Sequence, residues 1–301
     1  MQVEIKKDIS LPAGNKTLLD MHSLYNVLNI LTGELQILEM MVQDEEEELK
    51  ENIRKGLKIK DNLSDTDKIV AFAANIDDYL ISIQKTVSDL FTRYPWLAQN
   101  SDSLESRENI NSVLHILKVR AGEILERYKE PGNWKNHNLR NLTRNFMDVF
   151  AAIEKNSKGR YRFVYNPAAQ EQEDYYIDLR FESIDGPVIN MPPVFQDVMR
   201  DLMANARKYT DPGGRISAGL LDDGRDLRFC VADSGLGIPS SEIERVINFG
   251  YRASNVADRR TMGGGFGLTK AYLVTRQHNG RMWIDSEQNL GTRVFIIIPR
   301  P

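Results

Sequence analysis

The chain changes its hydrophobic period partway along, and that change limits the folds open to it more than any other feature. From Thr17 to about Asn156, apolar residues recur at alternating spacings of three and four. One run is Met21, Leu24, Leu28, Leu31, Leu35, Leu38, and a second is Ile69, Ala73, Ile76, Leu80, Ile83, Val87, Leu90. A third is Ile110, Leu114, Leu117, Ala121, Ile124, Tyr128, and a fourth Leu139, Leu142, Phe146, Val149, Ile153. Such spacing puts each set on one helical stripe and predicts helices packed nearly parallel or antiparallel. A weaker run, Leu49, Ile53, Leu57, predicts a short helix. Asp44 to Glu48 places acid at its start, where the helix dipole favours it, so these acids read as a solvated helix end and not a metal site. Tyr94-Pro95-Trp96 and Pro131-Gly132 end the second and third strong runs.

After Gly159 the period shortens. Tyr161–Tyr165 and Tyr175–Leu179 are rich in aromatic and β-branched residues and read as strands. A helix follows Pro192-Pro193, and Arg215–Leu221, Leu227–Asp233, Arg281–Ser286 and Thr292–Pro299 read as further strands. The fold class is therefore α+β: an N-terminal helical bundle over residues 1–158, then an α/β sandwich over residues 159–301.

A length of 301 residues suits two domains, each with its own core. The net charge of -4 gives no global attraction to nucleic acid or anionic lipid, and the pairs Lys6-Lys7 and Arg259-Arg260 read as solvated surface. The single cysteine, Cys230, excludes an intramolecular disulfide and a cysteine-built metal site, and its neighbours suggest a small buried apolar residue. No stretch approaches the ~20 apolar residues that span a bilayer, and Met1-Gln2-Val3-Glu4 does not open a signal peptide. The expectation is a cytoplasmic chain with no membrane span and no nucleic-acid partner.

Four segments of the second half stand in a telling order: Asp201–Thr210, Asp233-Ser234-Gly235-Leu236-Gly237-Ile238-Pro239, Gly263-Gly264-Gly265-Phe266-Gly267-Leu268, and Gly291-Thr292. An aspartate at a strand end can accept a hydrogen bond from the adenine amine, and adjacent glycines let backbone approach the base. The Gly263–Gly267 loop opens a predicted helix, Leu268–Thr275, whose N-terminal amides would face phosphate oxygens. Asn205 offers a neutral oxygen to magnesium, which usually takes its remaining ligands from water and phosphate. These segments resemble the N, G1, G2 and G3 boxes of sensor histidine kinases, within the GHKL ATPase superfamily. Asn248–Arg252 looks like the family's F box, and Arg259–Met262 like part of its mobile lid.

The resemblance covers about Pro192 to Pro299 and implies an ATP-binding catalytic domain. It implies that Asp233, with Gly235 and Gly237, contacts adenine and that Asn205 binds magnesium. Lys208 would approach the phosphates and Tyr209 would pack near the base; the plainer readings are a helix cap and core packing. Gly263, Gly265, Gly267, Leu268 and Thr292 would complete the ATP cradle. Asp201 departs from the family, which usually has Asn there. It shares a helix face with Asn205 and could act as a base, tighten magnesium binding, or be a plain surface acid.

A kinase of this class needs a phosphoacceptor histidine, and the chain offers His22, His115, His137 and His278. His278 reads as structural, His137 lies in a polar segment, and His115 is expected to pack on an apolar flank. His22 follows Met21 just outside the first stripe, where an exposed neutral imidazole is nucleophilic. His22–Gly33 looks like the family's H box, where a helical hairpin from each of two subunits forms a dimeric four-helix core. Ser23 replaces the usual acid after the histidine, Val27 replaces a frequent proline, and Asn26 occupies the place of a residue that orients water for dephosphorylation. The helices of residues 66–130 exceed what a hairpin requires. By resemblance, then, the chain is a homodimeric histidine kinase that uses Mg-ATP to phosphorylate His22 and passes the phosphoryl group to an aspartate of a response regulator receiver domain. A degenerate ATP-binding scaffold, another GHKL ATPase and a serine kinase stay open as alternatives.

Overall fold

In the computed structural model the described residues are 2–43, 46–129, 132–157, 159–259 and 264–301. The expected helix-start acids Asp44 and Glu45, the stop at Pro131, and Arg260–Gly263 lie outside them. The chain divides into two compact units: Leu11–Pro131, and Met1–Ser10 together with Gly132–Pro301.

The first unit is helical. It comprises α1 (Ala13–Asp20), α2 (His22–Met41), α3 (Glu47–Asp61), α4 (Thr66–Ala74), α5 (Ile76–Arg93) and α6 (Ser101–Lys129). The run expected as one helix from Ile69 to Leu90 breaks at Asn75, whose side-chain amide donates to the Ala71 carbonyl at 2.9 Å. Asp65 caps α4 by accepting from the Lys68 amide. α2 packs against α3 and α6, α3 against α5, and α4 and α5 against α6. Leu24, Leu28, Leu31, Leu35 and Leu38 of α2 are fully buried in this way. The core expected to need a second subunit is thus already closed by helices of one chain. Inside it Asn52 donates to Thr86 at 2.9 Å and accepts from Ser82 at 3.0 Å, which joins α3 to α5 through neutral hydrogen bonds.

The second unit is built on a seven-stranded sheet. In chain order its strands are β1 (Gln2–Glu4), β3 (Phe163–Val164), β4 (Tyr175–Ser183), β6 (Arg215–Asp222), β7 (Asp226–Asp233), β8 (Arg281–Glu287) and β9 (Gly291–Pro299); β2 (Lys135–Asn138) and β5 (Val188–Met191) form a separate pair. The sheet order is β1-β8-β9-β7-β6-β4-β3, with β3, β4 and β6 parallel and the other neighbours antiparallel. Alternation along β7 and β9 sends Leu227, Phe229, Val231, Val294, Ile296 and Ile298 into one core. The helices α7 (Leu139–Asn156), α8 (Pro193–Tyr209) and α9 (Gly267–Gln277) contribute to that same core.

The expected boundary at residues 158 and 159 therefore does not coincide with the packing. The fourth apolar run, α7, lays Phe146 against Phe181 of β4 and Phe150 against Phe163 of β3, with ring centroids 5.7 and 5.1 Å apart. β1 pairs antiparallel with β8, so the first residues also belong to the sheet. Cys230, expected to be buried, is half-buried on the opposite face of β7.

Candidate functional site

α8 starts at Pro193, whose fixed φ suits the first helical turn. It carries Asp197, Asp201 and Asn205 at intervals of four, on one face. That face meets the beginning of α9. A Cβ on Gly267 would lie 2.9 Å from the side-chain amide nitrogen of Asn205, so a larger residue there would push that side chain aside. Asn205 and Asp201 are both half-buried.

Beneath this contact lies a charge cluster that the sequence motifs did not single out. Lys270 of α9 is 1% exposed, and its ammonium lies 3.2 Å from Asp197 and 3.8 Å from Asp201. Arg200 pairs with Asp197 from the same helix. A lysine within the apolar run of α9 is the only signal that could have found the cluster. Lys208 is held below the usual lysine range by burial, against which the Asp201 carboxylate acts in the opposite direction.

The second wall comes from the end of β7. One oxygen of Asp233 accepts from the Gly235 amide at 2.9 Å and from the Thr292 amide at 3.3 Å, joining the second and fourth motifs directly. Burial raises its carboxyl to about 6, although these two amides pull it down. The Leu236 amide donates to the Tyr209 carbonyl at 2.9 Å, which fastens this loop to the end of α8. Gly237 has φ +60, and a Cβ there would strike the carbonyl of Glu287. Ser286 supports the turn, accepting from the Ile238 amide at 2.8 Å and donating to the Gly291 carbonyl at 2.9 Å.

Tyr209 packs partly buried against the core of this unit, as does Leu268. Gly265 lies against the backbone of Gly250 and Tyr251, with φ +72. Phe249 and Phe266 stack with centroids 4.6 Å apart, which ties the F-box segment to the glycine loop. Glu242 holds the same segment by accepting from Tyr251 at 2.7 Å and from the Ser254 amide at 2.9 Å. Asn255 donates to the Gly237 carbonyl at 3.0 Å. Arg259, expected as solvated surface, pairs with Asp211. Gly263, expected in the cradle, lies outside the described residues, as do the expected lid residues Arg260–Met262.

The structure thus brings Asp201, Asn205, Lys208, Tyr209, Asp233, Gly235, Gly237, Gly265, Gly267, Leu268 and Thr292 into the unit of Gly132–Pro301. His22 and Asn26 lie in the other unit. His22 is the first residue of α2 and is half-buried, with the Asn26 amide 3.2 Å from its Nε2. His137 bonds Gln196 through Nδ1 at 2.7 Å, and His278 sits edge-on to Trp134, where burial holds it below the usual histidine range. His115, expected to pack, is instead exposed on α6.

Among the described residues no cluster of three or more His, Cys, Asp or Glu could hold a metal, and no helix is long and apolar enough to cross a membrane. Residues 191–301 match the family described as histidine kinase-, DNA gyrase B- and HSP90-like ATPase. Over 109 residues the chain is 36% identical to the adaptive-response sensory kinase SasA of Nostoc sp., covering 36% of this chain and 27% of that protein. It is 32% identical over 104 residues to the sensor histidine kinase WalK of Bacillus subtilis, covering 34% of this chain and 17% of that protein. A longer match, to SasA of Prochlorococcus marinus, is 24% identical over 232 residues and covers 67% of this chain and 62% of the relative. These matches span less than two thirds of the relatives' own length. Over residues 191–301 the chain is thus similar to the histidine kinase-, DNA gyrase B- and HSP90-like ATPase family, and the relatives it matches are named as sensory or sensor histidine kinases.

Proposed function

We propose that this chain is a two-component histidine kinase that transfers the γ-phosphoryl group of ATP to His22 and then to an aspartate of a response regulator receiver domain. The observation that carries this reading is the joining of Asp233 to both Gly235 and Thr292, with Gly267 closed onto Asn205. That arrangement supports an adenine-accepting carboxylate at one end and an open helix N-terminus for phosphates at the other. Magnesium fits the donor set: Asn205 and Asp201 offer two oxygens one turn apart, few enough for an ion that takes phosphate and water as its other ligands. When bound it would supply neutralisation of phosphate charge. Lys208 would add a cation on the same side, and the chain's own contribution is positioning and charge.

In the transfer, a lone pair on a ring nitrogen of neutral His22 forms the N–P bond while the bond from γ-phosphorus to the bridging oxygen breaks. ADP leaves with that electron pair, and the imidazole proton passes to solvent. The short contact between Asn26 and His22 supports a role for Asn26 in orienting the ring, or water during dephosphorylation. Asp201 lies 3.8 Å from the buried ammonium of Lys270, a contact that supports a fixed position for its carboxylate beside Asn205.

Because the α2 seam is closed within one chain, we propose that a homodimer would use the outer stripe of Ile30, Ile37 and Met40, which are 44%, 42% and 78% exposed. Labelling with γ-phosphate-labelled ATP tests the reaction. The expected product is an acid-labile, alkali-stable phosphoprotein, lost in His22→Gln and in Asn205→Ala. Equal labelling of His22→Gln would remove the assignment of His22. Acid-stable labelling would replace the histidine chemistry by a hydroxyl acceptor.

A further inference from the structure

The helical unit contains a pocket of about 290 Å³ between α3, α4 and the first turn of α5. Its wall is apolar, formed by Ile59, Ile69, Phe72 and Tyr79. Phe72 and Tyr79 meet edge-on, with centroids 5.8 Å apart and planes at 67°. Asn62 and the exposed Lys55, Lys58 and Lys68 complete the lining, and no carboxylate lines the pocket. In a chain of net charge -4, a concave apolar wall lined by three lysines and no carboxylate stands out.

Two of the three ammoniums have partners. Lys55 pairs with Glu51 at 3.0 Å, and Lys68 with Asp65 at 3.1 Å and Asn62 at 3.1 Å. Such solvent-exposed pairs contribute little to stability and exchange readily for another anion. Lys58 makes no ion pair among the described residues. The volume is at the small end for ligand sites, which run from about 300 to 1,000 Å³, so it suits one short apolar body. The lining offers single ammoniums and neither an arginine fork nor a nest of backbone amides, the devices that favour phosphate.

We propose that this pocket binds a small amphipathic monocarboxylate, its apolar body against Phe72 and Tyr79 and its carboxylate at Lys58. Neutral and cationic molecules of the same body lack the matching charge. The proposal does not depend on kinase activity. The pocket also has a route to α2: the Tyr79 hydroxyl donates to the Asn52 carbonyl at 3.3 Å, and Gly56 leaves the space where that hydroxyl approaches Thr32. A Cβ at Gly56 would lie 2.9 Å from the Tyr79 oxygen and 3.1 Å from that of Thr32. A ligand that displaces Tyr79 therefore bears on the helix that begins at His22, a consequence that rests on the reading of His22 given above.

The test is calorimetric titration of the full chain with sodium octanoate below its aggregation concentration, with 1-octanol and octylammonium as comparators. The expected result is saturable one-to-one binding of octanoate, at least tenfold weaker binding of both comparators, and at least a fivefold loss in Lys58→Glu. Ile59→Trp, which fills the pocket, is expected to abolish binding while circular dichroism stays that of the parent. Absent or non-saturable uptake, equal binding of octanol, or parent affinity in Lys58→Glu would each overturn the proposal. Should Ile59→Trp fail to fold, Lys58→Glu and the two comparators still decide it. Loss of octanoate binding with intact ATP labelling would count against this site alone, and the reverse against the kinase reading alone.

Discussion

Each unit holds a polar cluster, and the two clusters are built in opposite ways. In the helical unit Asn52, Ser82 and Thr86 form a neutral network whose members partner one another across α3 and α5. In the sheet unit Lys270, Asp197, Asp201 and Arg200 form an ionic one beside Asn205. A neutral network placed among leucines selects one helix register at modest cost. An ionic one must offset the desolvation of each charge, and is weak evidence for stability unless position is what it secures. The comparison teaches that the bundle's polar core specifies packing, whereas that of the ATP domain specifies where the acids of α8 stand.

The largest effect should come from breaking the ionic cluster. Lys270→Met takes the buried ammonium from Asp197 and Asp201 while Arg200 stays on Asp197, and should cost up to about 3–5 kcal/mol, read as a lowered unfolding midpoint in urea. If the cost is below about 1 kcal/mol, the cluster does not hold α8 and the contrast between the units fails.

Next is Phe150→Ala on α7, expected to cost about 3–4 kcal/mol. Because α7 packs on β3 and β4, this loss should lower ATP affinity while leaving limited proteolysis of residues 11–131 unchanged. Faster cleavage in the bundle would instead return α7 to the helical unit.

Asn52→Ala should cost less, about 1–3 kcal/mol, since it leaves only neutral groups unpaired. Thermal unfolding of the full chain would measure it, and a cost above that of Lys270→Met would invert the comparison.

The smallest effect concerns pH. Adenine prefers the ionised form of Asp233, whose carboxyl stands at about 6 in the free domain. ATP affinity should therefore fall as pH drops, by about fourfold between pH 7 and 5.5. The folded value lies above the ordinary aspartate value of 3.8, so between these values the ATP-free domain binds more protons than the unfolded chain. This group's contribution to the stability of the free domain accordingly falls as pH rises through that window. Titration of ATP at several pH values would show whether Asp233 carries the dependence, since Asp233→Asn should flatten it.

Much of this was open to reading in the residues themselves. Glycines beside an aspartate at a strand end, and an asparagine on the preceding helix, mark a site because so few backbones need all of them. The α2 and α6 stripes are legible because a long 3-4 repeat fits only a helix. Periodicity does not say what covers a stripe, and so α7 reads as part of the bundle although Phe146 and Phe150 face a sheet. The break at Asn75 preserves the period on both sides and leaves no trace in it. Lys270 hides because a charged residue in an apolar run usually points outward, and only the two acids on α8 turn it in. The pairing of β1 with β8 depends on residues too distant in the chain for any local pattern to announce it.

That pairing has a consequence for how the protein is made. Gln2–Glu4 is synthesised well before its partner Arg281–Glu287, with most of both units made in between. At about 5–20 residues per second, the strand waits on the order of ten seconds or more for the edge it joins. The helical unit can fold during that interval, because all of Leu11–Pro131 is out well before the sheet is complete. Until β8 is made, Val3 has no β8 strand to pair with, so this edge of the sheet closes only when two segments far apart in the sequence meet.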